Sequence, residues 1–376
     1  MTKPRIVVAG LGDSGLLTAI NLARAADVVG ISTKPGMVSS QELGMRLARP
    51  DEWQRQYRFP FDRFKKLDPA RIIHGTVTDL DPDDRAVTIK DADGETQVES
   101  YDVLVIATGL TNGFWRRPDV QTPEDVDGEL STAHETLAAA GSIAIVGGGA
   151  AAVGSAANLA LAWPDKQVEL FFPGEAALPQ HHRDVWKAVR SLLRERGVGI
   201  NPGHRAVIPA GFDCDEITHD PVEWSTGQPQ ASADAVVWAI GRVRPNSAWL
   251  PRELLDDDGF VRVNANLQVT GHSEIFAIGD IAATDPLRTS ARNRADKILG
   301  QNIRAHLAGR ALKPYKPPRR RWGSVIGTQP NGLTVYAPNG KGFRFPTWSN
   351  NALLQPLIVK RGIYRGIRST PSKEKS

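Results

Sequence analysis

Apolar positions recur along this chain in two rhythms, and their order predicts its elements. A short unbroken apolar run, Ile6 to Ala9, ends in Gly10-Leu11-Gly12-Asp13-Ser14-Gly15; helical spacing follows from Ser14 to Ala25, then a second run, Val28 to Ser32. Short apolar runs bounded by turn residues read as buried parallel strands, and strand, helix, strand reads as a right-handed βαβ crossover. Residues 71–106 then alternate apolar with polar. Arg71 to Val77, Ala86 to Lys90 and Thr96 to Glu99 predict a three-stranded meander with turns at Asp81-Pro82 and Asp93-Gly94. Tyr101 to Gly109 closes the unit with a near-continuous apolar run of the buried parallel kind.

The same grammar is then repeated. Ile143 to Val146 runs into Gly147-Gly148-Gly149-Ala150-Ala151-Ala152, with a helix predicted from Ala150 to Leu161, a strand from Gln167 to Phe172 and a helix from Asp184 to Arg196. A hairpin region around Ala206 to Gln228 precedes a strand that again ends in glycine, Ala235 to Gly241. Repetition at a separation of roughly 140 residues is a far stronger signal than one glycine-rich turn. A strand at Glu274 to Asp280 and a helix from Arg288 to Ala308 complete the body. Lys313 to Arg321 is a Pro-rich basic linker; beyond it Pro-Asn-Gly turns at 330–332 and 338–340 punctuate a small meander, and the apolar Ala352 to Val359 follows.

Composition narrows the picture. At 376 residues and 41% hydrophobic content the chain has material for two or three ordinary domains. Its one cysteine, Cys214, excludes an internal disulfide or a paired-cysteine redox motif and fits a reducing cytoplasm; an inert hairpin thiol is its expected state. The eight histidines lack metal-ligand spacing, no metal is expected, and His181-His182 reads as the solvated start of the 184–196 helix. The N-terminus shows no charged-then-apolar leader, so no signal peptide is expected. Thr136 to Pro164 carries no charge and is long enough to span a bilayer, but three glycines interrupt it, and strand, turn and helix explain it better. Charge is uneven. Residues 310–376 carry 14 Lys or Arg against one acid, Glu374, a net +13, so the remaining 309 residues carry −9 of the chain's net +4. A basic tail on an acidic body suits an anionic partner.

Both glycine turns have the chemistry of a dinucleotide site. The first glycine permits a tight strand-to-helix turn, the second lets backbone approach a pyrophosphate, and the third position keeps helix and strand close. The pyrophosphate meets a helix N-terminus, whose unpaired N–H groups and dipole favour an anion. Two turns imply two dinucleotides.

These turns, Leu104 to Gly109, Trp238-Ala239-Ile240-Gly241 with Pro245-Asn246, and Ile275 to Asp280 stand in the order of the two-dinucleotide flavoproteins. The chain resembles the pyridine nucleotide-disulfide oxidoreductase superfamily without its redox disulfide, and within it the type II NADH dehydrogenase, apoptosis-inducing factor and ferroptosis-suppressor protein branch. The resemblance covers about residues 1–310. It implies an α/β fold with two Rossmann-like dinucleotide-binding domains, each three-layered with a parallel sheet plus a β-meander, and a small C-terminal α+β domain. It also implies a discontinuous FAD domain (1–112 and 254–310), an NAD(P)H domain (113–253) and a basic C-terminal domain (311–376).

For FAD the resemblance points to Gly10, Gly12, Ser14 and Gly15 at the pyrophosphate, Val77 near the adenine, Ala107, Thr108 and Gly109 at the exit from the FAD domain, and Gly279 with Asp280 at the ribitol. For NAD(P)H it points to Gly147, Gly149, Ala152 and Gly241, with Glu175 in reach of the ribose. Two departures stand out. Where the family places an acid for the adenosine ribose, this chain has Ser32-Thr33-Lys34, so Ser32 or Lys34 would take that contact; where it places a glutamate beside flavin and nicotinamide, this chain has Gly154. No arginine is ready for a 2'-phosphate, which favours NADH over NADPH.

The resemblance implies hydride transfer from NAD(P)H to FAD and onward transfer to an external acceptor, since no dithiol can carry electrons out. No side chain declares itself a general acid or nucleophile. A quinone or similar small molecule is the leading acceptor; a ferredoxin-type carrier, or a non-enzymatic flavoprotein interaction module, are the alternatives. In the tail, Trp322, Tyr336, Phe343, Phe345, Trp348 and Tyr364, with Leu353, Leu354, Leu357, Ile358 and Val359, mix with Lys360, Arg361, Arg365 and Arg368. That mixture suits a structural domain with a basic solvated face, an interfacial patch on anionic lipid, or a dock for an acidic carrier. No nucleic-acid recognition fold is evident, and nucleic acid is not an expected partner. The expected location is cytoplasmic, with peripheral attachment to the inner membrane face as the variant; the pattern says nothing of oligomeric state.

Overall fold

A computed structural model describes residues 3–39, 41–111, 117–284, 295–317, 323–349 and 361–368. Its largest sheet has seven strands in the order Ile275–Ala277, Val103–Ile106, Arg5–Ala9, Asp27–Ser32, Arg71–Asp81, Ala86–Asp91 and Thr96–Ser100. Neighbours are parallel as far as Arg71–Asp81 and antiparallel beyond it. Arg71–Asp81 belongs to both halves: its first residues pair with Asp27–Ser32 and its later ones with Ala86–Asp91, with a register shift between Val77 and Asp79. The predicted meander is thus the outer part of one mixed sheet.

Residues 6–9 and 103–106 are fully buried because both faces of the sheet are covered. Ile6, Val8, Val103 and Val105 face the helices Asp13–Leu22 and Ala295–Leu307, while Val7, Ala9, Leu104 and Ile106 face Val77, Leu80, Ile89, Trp249 and Leu254. The period of two along each strand sorts these sets to opposite faces. The predicted start of the last helix, 288–294, lies outside the described residues, as do Ser40, Trp322 and 350–360 with their apolar cluster.

The second sheet is wholly parallel, in the order Gly199–Pro202, Gln167–Phe172, Ser142–Val146 and Ala235–Trp238. Helices Ala150–Ala162 and Arg183–Glu195 lie where the apolar spacing predicts them. His182 caps the latter, its ring nitrogen Nδ1 accepting from Asp184 N at 3.3 Å. Around 206–231 the hairpin region is a set of single antiparallel bridges, Ala206 with Trp224 and Val222 with Ala231. The uncharged stretch from Thr136 to Pro164 comprises a helix end, a strand, the glycine turn and a helix. No described helix is long and apolar enough to cross a membrane.

Three helices were not anticipated. Pro123–Ala139 starts with a capping box between Thr122 and Asp125, and Leu43–Ala48 and Pro50–Tyr57 lie between the two strands of a short ribbon, Gly36–Val38 with Arg58–Pro60. The last two leave their own half of the chain. Met45, Leu47, Ala48 and Trp53 share a core with Val153, Ala156, Ala157 and Leu159 of the second unit and with Val325, Ile326 and Tyr336 of the tail. Helices 43–48 and 150–162 touch through bare backbone: a Cβ added to Gly44 would lie 2.2 Å from Gly154 O.

In the tail, Thr328–Gln329, Gly332–Tyr336 and Gly342–Phe345 form the expected antiparallel meander. A buried polar knot fastens it. Asn158 Nδ2 donates to the carbonyls of Gly154 and Ile326, and Arg49 Nη2 donates to Asn158 Oδ1 at 2.8 Å and to the Thr328 carbonyl at 2.9 Å. Residues 361–368 return to the first unit, where Tyr364 packs edge-on against Phe64, Arg368 pairs with Asp68 and Arg63 donates to the Arg368 carbonyl.

Candidate dinucleotide sites

Both glycine turns sit at the carboxyl ends of their parallel strands, and their geometry is the same device twice. The N–H of Gly10 donates to Ile31 O at 3.0 Å, and that of Gly147 to Phe171 O at 2.8 Å. Each of these glycines has positive φ, +101° and +143°, and a Cβ there would come 2.4 Å from Ala107 O or 2.1 Å from Ala239 O. A side chain is excluded twice over, by torsion and by the neighbouring strand. The second glycines are the opposite: at Gly12 and Gly149 a Cβ would meet nothing within 4 Å. They are exposed N-caps without any side-chain capping bond, so each helix opens on bare backbone. The third position closes each turn. A Cβ on Gly15 would lie 1.9 Å from Gly10 O, whereas Ala152 fits, its methyl fully buried 3.2 Å from where a Gly147 Cβ would stand.

The sequence-predicted partners fall around these cradles unevenly. Gly279, at φ +82°, would place a Cβ 3.1 Å from Ser14 Oγ, so Gly279 and the half-buried Asp280 lie alongside the first helix start. Thr108 and Gly109 form one side of a clamp: Thr108 Oγ1 donates to Asn246 O at 2.8 Å, Asn246 Nδ2 to Thr108 O at 3.0 Å, and Thr111 Oγ1 to Asn246 Oδ1 at 2.7 Å. Leu110–Thr111 and Arg244–Pro245 are antiparallel neighbours there. Gly241, at φ +75°, ends the matching strand of the second unit in the open. Val77 is buried at the bulge of its strand.

At the adenosine end of the first site, Ser32 is buried in a local turn, donating to Lys34 O and accepting from Lys34 N. The Lys34 ammonium donates to the carbonyls of Arg117 and Asp119 at 3.2 and 2.8 Å, and burial pulls it down to about 8 despite the carboxylates of Glu129 and Asp119 nearby. Glu175 is exposed in the loop after Phe172, and that loop is pinned to the second turn by Leu178 N donating to Gly148 O at 2.7 Å. Cys214 lies buried in the core that holds Val146, Phe171 and Trp238, and burial pushes its thiol up, as suits an inert thiol. Among the described residues no cluster of His, Cys, Asp or Glu could hold a metal ion.

Sequence reasoning missed Asp13 as a junction. Ser39 Oγ donates to its Oδ2 at 3.3 Å and Tyr364 Oη to its Oδ1 at 2.8 Å, so three distant parts of the chain meet beside the first helix start. No local signal links positions 13, 39 and 364.

Residues 4–304 match the family described as pyridine nucleotide-disulphide oxidoreductase. This chain belongs to that family. Ferroptosis suppressor protein 1 of Xenopus tropicalis is 24% identical over 83% of each chain, and demethylphylloquinone reductase NdbB of Synechocystis is 24% identical over 98% of this chain and 99% of its own. Among solved structures, the ferredoxin reductase for the CYP199A2 system from Rhodopseudomonas palustris superposes with a TM-score of 0.65 at 20% identity, covering 83% of this chain and 78% of its own, a likeness of fold. The suspected branch and the two-unit dinucleotide-binding fold are therefore found. The family is FAD-dependent and binds NAD(P)H. The two cradles, with no side-chain cap, fit those groups, each offering bare backbone at a helix start where a pyrophosphate would lie.

Proposed function

We propose that the protein is an FAD-dependent NAD(P)H oxidoreductase whose terminal acceptor is a quinone. In this reading residues 1–112 and 254–310 hold FAD, 113–253 hold the nicotinamide nucleotide and 311–376 form the basic C-terminal domain. Gly10, Gly12, Ser14 and Gly15 receive one pyrophosphate and Gly147, Gly149 and Ala152 the other; Asp280 accepts hydrogen bonds from the ribitol, Ser32 or Lys34 meets the adenosine ribose and Glu175 the nicotinamide-nucleotide ribose. A carboxylate at that last position repels a 2'-phosphate and favours NADH.

The observation that carries the reading is the pair of matching cradles in a chain whose sole cysteine is Cys214. Bound FAD supplies the hydride-accepting and electron-passing chemistry. The chain holds the two dinucleotides by backbone N–H groups and, with no dithiol, leaves the acceptor to meet the flavin directly. Support for a quinone comes from NdbB, which matches nearly end to end and is a demethylphylloquinone reductase. The tail offers a lipid-facing element: Phe343, Phe345 and Trp348 are exposed beside Lys341 and Arg344. Anaerobic stopped-flow with NADH and NADPH, followed by a short-chain quinone, tests the reading. Fast flavin bleaching by NADH and fast reoxidation by quinone are expected. Fast bleaching with reoxidation only by a ferredoxin would overturn the quinone assignment, and slow bleaching by both nucleotides would overturn the enzyme itself.

A further inference from the structure

The two cradles differ in charge. Helix Ala150–Ala162 has no acid in its first turn, whereas helix Asp13–Leu22 begins with one, directly after the exposed Gly12. A helix start favours an acid through its dipole. A pyrophosphate draws on the same dipole and the same N–H groups, so a carboxylate at this position is its rival. The two charges also repel, the more strongly where water is excluded.

Two buried hydroxyls draw the Asp13 carboxylate aside. Ser39 Oγ donates to Oδ2 at 3.3 Å and Tyr364 Oη to Oδ1 at 2.8 Å. Ser39 is fixed by its own backbone, its N–H donating to Tyr57 O at 3.0 Å and its carbonyl accepting from Arg46 Nη2 at 3.1 Å. Both donors lie on the core side, Ser39 2% and Tyr364 7% exposed. Tyr364 shares a hydrophobic cluster with Leu11, inside the glycine turn, and Leu16 just past it.

Tyr364 reaches this place from the far end of the chain. Its ring meets Phe64 edge-on at 5.6 Å and Phe59 at 6.4 Å. Just beyond it Arg365 and Gly366 take positive φ, 56° and 107°, so the chain turns sharply; at Arg365 that backbone is unfavourable and is imposed by the contacts on either side. On the far side of the turn Ile367 bridges Phe64, Arg368 N donates to Arg63 O at 2.8 Å, and the Arg368 guanidinium pairs with both carboxylate oxygens of Asp68. A buried phenol hydroxyl calls for an acceptor, and here the acceptor is charged, which makes the stronger kind of hydrogen bond.

We propose that Tyr364 is a positioning residue of the FAD site: its hydroxyl holds the Asp13 carboxylate off the pyrophosphate position of the first cradle. Docking of segment 361–368 on the first unit then sets how tightly that cradle keeps its dinucleotide. The inference rests on the reading in which the first cradle takes FAD.

FAD release from purified holoprotein, followed as the rise of flavin fluorescence on serial dilution, gives the dissociation constant without turnover. Tyr364→Phe keeps the ring and its packing and removes Oη alone. It is expected to raise the Kd for FAD about tenfold, the scale of one hydrogen bond to a charged group, while NAD⁺ binding measured by titration calorimetry stays within about twofold. Adding Asp13→Asn removes the charge that Tyr364 restrains, so the double variant should return to within about threefold of wild type. A general loosening of the tail would not be reversed by that second change; circular dichroism checks that each variant is folded. A Kd for FAD within about twofold of wild type in Tyr364→Phe, a double variant as weak as the single one, or an equal loss of NAD⁺ binding overturns the proposal while the flavin reading stands. A wild-type protein that holds no FAD and takes up none on addition overturns the flavin reading of the first cradle, and the proposal with it.

Discussion

Replacing Gly44 by alanine should unseat the contact between the two halves of the molecule. The added methyl would lie 2.2 Å from Gly154 O, 2.4 Å from Gly154 C and 2.6 Å from Ser155 N. All three are helix backbone atoms that cannot rotate aside, so the helices must part by about 1 Å to restore van der Waals contact. Overpacking of this kind costs about 1–3 kcal/mol, and backbone against backbone belongs at the upper end. Alanine returns about 1 kcal/mol of helix propensity, leaving a net loss of about 2 kcal/mol. At about 2–4 °C per kcal/mol for a unit of 150–250 residues, the melting temperature should fall by about 4–8 °C. Gly128 is the internal control: it is exposed within helix Pro123–Ala139, a Cβ there meets nothing within 4 Å, and Gly128→Ala should stabilise by about 0.5–1 kcal/mol. Differential scanning calorimetry of both holoproteins makes the comparison. If Gly44→Ala melts at or above wild type, as Gly128→Ala should, the close crossing of these helices is wrong.

Gly12→Ala should lower the flavin retained through purification while Gly149→Ala leaves flavin content intact and raises KM for the nicotinamide nucleotide; both positions are open to a Cβ, so melting should change little in the absence of nucleotides. Asn158→Ala removes the bonds to the Gly154 and Ile326 carbonyls and one of the two acceptors of Arg49 Nη2, costing about 2–3 kcal/mol and loosening residues 323–345, which faster limited trypsinolysis at Lys341 and Arg344 would read. Asp234 accepts from Ser142 N, Ser142 Oγ and Gly141 N, which holds its carboxyl below the usual range. Its stabilising effect is then present above the unfolded carboxylate value and lost as pH falls through the lower folded value. Urea midpoints of Asp234→Asn should therefore lie below wild type at pH 7, with the gap narrowing toward pH 3; a constant gap would contradict this.

What could be read from the sequence is what chain-local physics dictates. Gly10 and Gly147 are demanded by positive φ and by a carbonyl of the adjacent strand, and that demand recurs wherever a strand turns sharply into a helix over a phosphate. The meander was visible because Val87 and Ile89 alternate with exposed or half-buried neighbours. Helix 43–48 was hidden because its pattern serves a surface made by a remote segment: Gly44 reads as a breaker until Gly154 is beside it, and Arg46 interrupts the apolar run although it is buried over Trp53. Helix 123–139 was overlooked although Val126, Leu130, Ala133 and Leu137 keep helical spacing after the Thr122-Pro123 start, the exposed Gly128 and five acids diluting the signal. The clamp at Asn246 and the meeting of Asp13, Ser39 and Tyr364 depend on contacts between distant positions, which one sequence does not record.

The pairing of Leu110 with Pro245 bears on how such a chain could arise. Everything between these residues leaves and returns with its two ends already side by side. Inserting a ready-made unit there adds a closed loop whose entropic cost grows only with the logarithm of its length, about 0.6 kcal/mol per doubling. The host sheet keeps every strand neighbour, and the insert has adjoining termini of the kind that permit a cassette to fold separately and be moved between hosts. A chain that spliced a copy of its own βαβ device into itself would acquire a second nucleotide site without disturbing the first. The crossing at Gly44 and the knot at Asn158 would then be later additions that lock the insert at one angle.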